Sequence, residues 1–362
     1  MGVGAIVVIG RQFGAFGSTS PVGTGQSALL PKPLACVDIL GRSTVARAIE
    51  RFARNDVDTV TVLSPEEGLC GAPAEFAGMV HTVNVCVVTD VFSAVTQQLQ
   101  DYSQNGVGHS FVASANVYTE ADLLDLFYFH REARQTVTRG FDREGALDLW
   151  VVDCAKAQQS DLQSLLTRPE EPGTTYFIRD YVSRLRHPRD VRRLVSDALS
   201  GRCSMRPPGR EIKPGIWVEE GAEIHRRARI VAPAYIGSGS KVEEDTLITR
   251  CSSIEKDCYV DCGTVIEDSS ILANTHIGIW LDVCHVVASG NRLLSLEHDV
   301  TVEISDPSVM RSNSPAQQQK EHALDWDREG ESTEQQIVAA IQQEQPPKAE
   351  TCRLEPILSR GN

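Results

Sequence analysis

Between residues 212 and 272 the apolar positions recur at every sixth residue: Ile212, Val218, Ile224, Ile230, Ile236, Val242, Ile248, Ile254, Val260, Ile266 and Leu272. Four places after most of them stands a small side chain, at Ala222, Ala228, Ala234, Ser240, Thr246, Ser252, Cys258, Thr264 and Ser270. An amphipathic helix repeats its apolar positions every three or four residues and a half-buried strand every second one. A period of six fits neither. It fits a left-handed parallel β-helix, in which three hexads make a triangular coil and successive coils stack. The aliphatic residue then fills the prism and the small residue fits the corner. After Leu272 the frame slips by one, to Ile271, Ile277 and Val283, and "HIGIWLDVCHVVASGNRLLSLEHDVTVEI" is expected to close the stack with irregular strands. The β-helix is placed at 211–305.

Residues 1–178 have a different rhythm. "AIVVI" is followed by a long Gly/Ser/Pro loop, the helical stretch "STVARAIERFARNDV" and the strand "DTVTVLS". "HTVNVCVVT" precedes the helix "VFSAVTQQLQDYSQ", "HSFVASAN" precedes "TEADLLDLFYFHREA", and "ALDLWVVDC" follows. This βαβα order predicts a largely parallel sheet covered by helices. Ligands of such sheets bind beyond the C-terminal strand ends, so the loops after "AIVVI" and "HSFVASAN" are the places to look.

Between these regions, residues 179–210 carry nine arginines against three aspartates, a local balance of +6. "DVRRLVSDALSG" reads as a helix ended by Gly201. A solvated basic linker is the plain expectation, with a domain or subunit contact, or a phosphate site, as alternatives. Residues 306–362 are Gln/Glu-rich and poor in aromatics, which predicts disorder, apart from a short helix in "TEQQIVAAIQQE".

Composition narrows the class. The chain has 362 residues, 41% of them hydrophobic and 23% charged, with a formal net charge of −14. That balance argues against a general nucleic-acid binder. No apolar run approaches the length of a membrane-spanning helix. "MGVGAIVVIG" lacks a basic n-region and a cleavage site and is expected to be a first strand rather than a signal peptide. Ile6 stands where a myristoylation motif needs Ser or Thr. Ten cysteines without a C-x-x-C pair fit reduced thiols in a cytoplasmic protein better than zinc or disulfides, although Cys258 and Cys262 are four apart.

Three stretches carry a resemblance. "LLPKPLACVDILGRSTVARAIERFARNDVDTVTVLS", "FVASANVYTEADLLDLFYFHREARQTVT" and "GREIKPGIWVEEGAEI" occur in the order seen in the sugar-1-phosphate nucleotidyltransferases, the NDP-sugar pyrophosphorylases. With the hexads, which resemble those of hexapeptide-repeat transferases and sugar-nucleotide enzymes, the likeness covers roughly two thirds of the chain. It implies an α/β nucleotidyltransferase-like (Rossmann-like) domain followed by the left-handed β-helix. It also implies a reaction in which a sugar-1-phosphate oxygen attacks the α-phosphorus of a nucleoside triphosphate and pyrophosphate leaves. Charge then builds on phosphate oxygens, so backbone N–H groups, basic side chains and carboxylate-held Mg²⁺ are called for.

The resemblance maps those parts onto particular residues. Gly10 and Gly14 stand for two glycines of the family's phosphate loop, whose Gly-Thr-Arg is missing here; Arg11 is the loop's only basic residue. Lys32 matches the lysine of the Pro-Lys-Pro segment. Asn116, after Ala115, occupies the position of the metal-binding aspartate and offers Mg²⁺ a neutral oxygen instead of a charged one. Asp153 is a weak candidate for the second metal carboxylate, and His130 is expected to end a helix rather than touch substrate. The fitting partners are a nucleoside triphosphate and a sugar-1-phosphate, in cell-surface polysaccharide synthesis, with neither nucleic acid nor membrane. A homo-oligomer formed through the β-helix is expected.

Two rivals come from the β-helix. Hexapeptide acyltransferases use a histidine base between subunits, and His225, His276 and His285 are the possible bases; no extended loop of the kind acyl-CoA enzymes often insert interrupts the hexads. A trimerising scaffold that binds sugar nucleotides without turning them over, or recruits partners through its tail, is the non-enzymatic alternative.

Overall fold

Every hydrophobic run predicted as a strand before residue 178 enters one seven-stranded sheet. Its strands are β1 (Gly2–Val8), β2 (Thr59–Ser64), β3 (Thr82–Val87), β4 (Val107–Ser114), β5 (Val137–Asp142), β6 (Gly145–Asp153) and β7 (Thr175–Phe177). The computed structural model describes residues 2–10, 29–30, 32–65, 82–87, 90–157, 166 and 174–313. The spatial order is β7-β5-β6-β4-β1-β2-β3. All neighbours run parallel except β6, which is antiparallel to both β4 and β5. The β5–β6 hairpin is absent from the sequence reading; Gly145, at φ +113°, makes its tight turn.

Three helices cover the sheet: α1 (Thr44–Ala53), α2 (Val91–Gln104) and α3 (Leu123–Ala133). Each begins at a side-chain cap, Ser43, Asp90 or Asp122, that accepts a backbone N–H of the first turn. β1 is buried on both faces, as a central parallel strand should be. Ala5, Val7 and Ile9 pack with Val45, Ile49 and Phe52 of α1 and Leu123 and Leu126 of α3. Ile6 and Val8 pack with Val95, Leu99 and Tyr102 of α2.

The hexad region forms three parallel sheets of strands two to four residues long. The chain visits them in turn, and a residue pairs with the one eighteen places on: Ile224 with Val242, Ile230 with Ile248, Ile236 with Ile254, Ile248 with Ile266. Ile236, Val242, Ile248, Ile254, Val260 and Ile266 share one core. Both ends of the predicted frame need correction. Ile212 is exposed, on a strand (Arg210–Lys213) paired antiparallel to Ile216–Val218, so it opens the stack from outside. The one-residue slip also comes earlier. Ile254 pairs with Ile271, seventeen places on, and Ile271 enters the core while Leu272 turns toward the α/β side. Ser269, not Ser270, is the corresponding corner.

The corner residues are small for a reason beyond space. Buried Ser240, Thr246, Ser252 and Thr264 each place a hydroxyl against a carbonyl of the next rung: Glu255 O (2.7 Å), Asp261 O (3.2 Å), Ile266 O (3.4 Å) and Gly278 O (2.6 Å). Several also accept a backbone N–H from that rung, as Ser240 does from Cys258, Ser252 from Ser269 and Thr264 from Leu281. Antiparallel strands at Arg292–Ser295, Val300–Glu303 and Met310–Ser312 cover the last rungs and leave fewer open parallel edges.

The basic segment is packed, not solvated as expected. α4 (Pro188–Leu199) buries Val191, Leu194, Val195 and Ala198 in an apolar seam. Leu29, Leu34 and Ile39 from the α/β side and Tyr235, Leu272 and Val287 from the three-sheet side complete it. Gly201, at φ +71°, follows the helix end as its sequence implies.

Candidate functional site

From β1 the chain moves to β2 on one side and later returns to β4 on the other, so the strand order reverses beside β1. In open α/β sheets, ligands bind in the crevice beyond the C-terminal strand ends at such a reversal; residues 11–28, which follow β1, lie outside the described residues. Gly10 and Asn116 lie at that point and touch: Asn116 Nδ2 donates to Gly10 O at 2.9 Å. Ala115 N donates to Val8 O (2.8 Å), and Leu185 N to Asn116 O (2.7 Å). Asn116 Oδ1 is buried and has no hydrogen-bond partner among the described residues. Gly10 adopts φ +112°, and no described residue lies within 4 Å of where a Cβ would be.

Lys32 is half-buried and precedes the short 3-10 turn Leu34–Cys36. Thr44 Oγ1 joins that turn to the crevice, lying 3.1 Å from Ala35 O and 2.7 Å from Ala115 O. The Lys32 segment is thus tied to the Asn116 loop, as Gly10 is. Arg11 and Gly14 lie outside the described residues.

Two ion pairs sit at the same edge of the sheet. The strand Val182–Arg184 pairs antiparallel with Val117–Thr119, setting Arg184 across from Val117. Its guanidinium grips Asp142, at the end of β5, through two bonds of 2.7 and 2.6 Å, and also reaches Glu144 and Gly145 O. Burial alone would raise the Asp142 carboxyl, but the Arg184 hydrogen bonds and charge outweigh it and hold it below the ordinary aspartate value. Nearby on β6, Asp148 meets Arg139 at 3.3 Å, and that guanidinium lies 5.0 Å from the Trp150 ring centroid. Arg139, Asp142 and Asp148 escaped the sequence reading, and Arg184 entered it only as one of the arginines of the basic segment. The signal was present in "VTRGFDREGALD", a charged turn between two β-branched or aromatic runs, which is a hairpin signature.

Asp153 belongs elsewhere. It pairs with His109, so it lies at the opposite edge of the sheet. Five steps along β4 separate that row from Ser114, about 17 Å at the usual strand rise, and Asn116 lies beyond in the turn that follows. Asp153 is held by Lys156 at 3.0 Å and cannot share a metal with Asn116. His130, in the last turn of α3, is buried, with Nδ1 2.8 Å from Thr138 Oγ1. Burial, then the neighbouring His109, pushes its pKa down to about 4. It is a neutral core residue.

The three candidate bases are each engaged locally. His225 Nδ1 accepts Arg227 N (3.3 Å). His276 is buried, 2.9 Å from Asp261 and edge-on to Tyr259. His285 Nδ1 lies 2.8 Å from Asp268, which also takes Arg192. Among the described residues no group of three or more His, Cys, Asp or Glu side chains is placed to hold a metal ion. No helix among them is long and apolar enough to cross a membrane. A scan against protein-family models finds no match to the chain, and a search of curated proteins finds none.

Proposed function

We propose that the three-sheet region is wound as a left-handed β-helix. We further propose that the α/β sheet belongs to the nucleotidyltransferase architecture and receives a nucleoside triphosphate and a sugar-1-phosphate, or the NDP-sugar they form, in the crevice between β1 and β4. The observation that carries this reading is the buried Oδ1 of Asn116 at the switch point, which has no hydrogen-bond partner among the described residues. A buried acceptor without a donor costs about 1–3 kcal/mol, and a ligand hydroxyl or amine would satisfy it. The open backbone at Gly10 allows close approach of a phosphate, and Lys32 would supply positive charge.

Mg²⁺ held by the protein does not fit the described residues of the crevice. Asn116 offers one neutral oxygen, while Asp142 and Asp148 are already bound by Arg184 and Arg139. A hard cation needs several oxygen ligands, carboxylates foremost. Mg²⁺ would therefore come with the triphosphate as its counter-ion. The reading favoured here is a site that recognises the nucleotide and its sugar conjugate and transfers slowly or not at all. Assembly through the β-helix is part of the proposal, and the exposed Ile279–Trp280 pair, with Trp280 72% exposed, is the face assigned to it.

The test is calorimetric titration of the full chain with each nucleoside triphosphate plus Mg²⁺ and with ADP-, CDP-, GDP-, UDP- and dTDP-sugars, alongside pyrophosphate release with a panel of sugar-1-phosphates. One nucleotide should bind, and Lys32→Ala and Asn116→Ala should each weaken it about tenfold or more, the loss of one charge-assisted or buried hydrogen bond. No binding by any nucleotide, or binding indifferent to both substitutions, would overturn the proposal.

A further inference from the structure

The basic segment that the crevice does not use has a cavity of its own. With one side of α4 in the seam, Arg189, Arg193 and Ser196, three or four residues apart, lie toward one flank, exposed or half-buried, beside the buried Arg192. That flank lines a cavity of about 610 Å³, whose far wall is Asp268 and Leu296 of the three-sheet region. The size lies in the range of sites for small ligands.

The cationic groups there differ in how far they are committed. Arg192, its side chain 5% exposed, donates to Asp268 O (3.0 Å), Cys251 O (3.0 Å) and Arg250 O (3.2 Å), and is a fixed charge in the wall. Arg202, also in the lining, meets Asp197 at 3.1 Å, and Asp197 accepts from Tyr181 Oη at 2.6 Å. Among the described residues Arg189 is held only by Asp299, in an exposed pair of the kind that contributes little. Arg193 is exposed and has no hydrogen-bond or ion-pair partner among the described residues. Arg189 and Arg193 are a like-charged i, i+4 pair, an arrangement that disfavours a helix unless an anion lies between them. Four arginines face two aspartates in the lining, so the cavity keeps net positive charge in a protein of net charge −14.

We propose that this cavity binds a small molecule carrying two or more phosphate charges. Arg193 and Arg189 contact the phosphates with their planar guanidinium forks, Arg192 supplies a fixed field, and the Tyr181–Asp197 pair is available to a ligand hydroxyl. Such a ligand would bridge α4 and the three-sheet region. The proposal is independent of the crevice between β1 and β4.

Sodium tripolyphosphate is the probe, titrated calorimetrically into the full chain and followed in parallel by thermal unfolding. The wild type and Lys32→Ala should both bind it and unfold at a higher temperature in its presence. Arg193→Glu should raise the dissociation constant about tenfold or more, as loss of a charge-assisted contact does, without lowering the ligand-free midpoint, because Arg193 has no partner to lose among the described residues and the change removes its repulsion from Arg189. Arg193→Lys should bind with intermediate affinity. No binding to the wild type would overturn the proposal. So would binding that Lys32→Ala abolishes and Arg193→Glu leaves intact, since that places the anion in the crevice.

Discussion

Glu255 joins the two regions of the fold by a contact whose strength should depend on pH. The residue is 1% exposed, and its carboxyl oxygens accept Leu40 N at 2.7 Å and Gly41 N at 2.9 Å. Those donors form the turn of the small hairpin Asp38–Ser43 on the α/β side, and Lys256 meets Asp38 at 3.0 Å beside it. Burial pushes the Glu255 carboxyl up to about 7, although the two backbone N–H groups favour its charged form. An acid with a raised pKa binds its proton more tightly in the folded protein. Its contribution is therefore full below the unfolded value of 4.5 and is lost as pH climbs through the folded value. With those two values this one group lowers stability by about 2.5 kcal/mol between pH 5 and pH 8. Glu255→Gln removes the titration. At pH 5 it should destabilise by about 1–3 kcal/mol, because its amide –NH₂ faces a backbone donor and leaves it unpaired. Between pH 5 and pH 8 the variant should then gain about 2.5 kcal/mol on the wild type. Urea unfolding followed by tryptophan fluorescence at both pH values gives the difference directly. A gap that stays constant across this range would refute the reasoning.

Arg184→Ala should strand the carboxylate of Asp142 and destabilise by about 3 kcal/mol near neutral pH. Because Arg184 holds that carboxyl below its usual value, the stability it contributes is present above the unfolded pKa and should fade in acid, so urea midpoints of variant and wild type should converge as pH falls. Ser252→Ala removes an acceptor for Ser269 N and a donor to the neighbouring carbonyls, and should cost about 1–3 kcal/mol in the same assay; a neutral result would mean that the corner hydroxyls only fill space. Trp280→Glu should lower the mass measured by light scattering if the Ile279–Trp280 face joins subunits, and an unchanged mass above that of one chain would locate the interface elsewhere.

The parts of this fold legible in the sequence are those in which one local pattern determines one element. α2 has the bounds its sequence suggests, because apolar spacing and the Asp90 cap agree. The rungs from Val218 to Ile266 follow the six-residue period because each such residue faces the same core. Less legible were features set by contacts distant in sequence. Ile271 and Leu272 are equally apolar, and only the seam, with its own demand for an aliphatic residue, decides which turns inward. In the same way, Glu255 follows Ile254 in an ordinary outward position, and its burial needs a turn 214 residues away. Gly10, Lys32 and Asn116 were singled out by the order of motifs, and the fold brings Gly10 and Asn116 into contact, while the Arg184–Asp142 pair depends on a strand returning from beyond β7.

The slip between Ile266 and Ile271 shows how this kind of architecture tolerates changes in length. One residue fewer separates two rungs, yet Ser269 takes up the corner bonds to Val283 O (3.1 Å) and Val286 N (3.1 Å) that intact hexads make elsewhere. Inside a strand, losing one residue would send every later side chain to the wrong face. At a corner the chain already changes direction, so the loss is absorbed within one turn and the rungs beyond keep their inward positions. Single-residue deletions should therefore be filtered by place rather than by number, surviving at corners and eliminated from the edges between them.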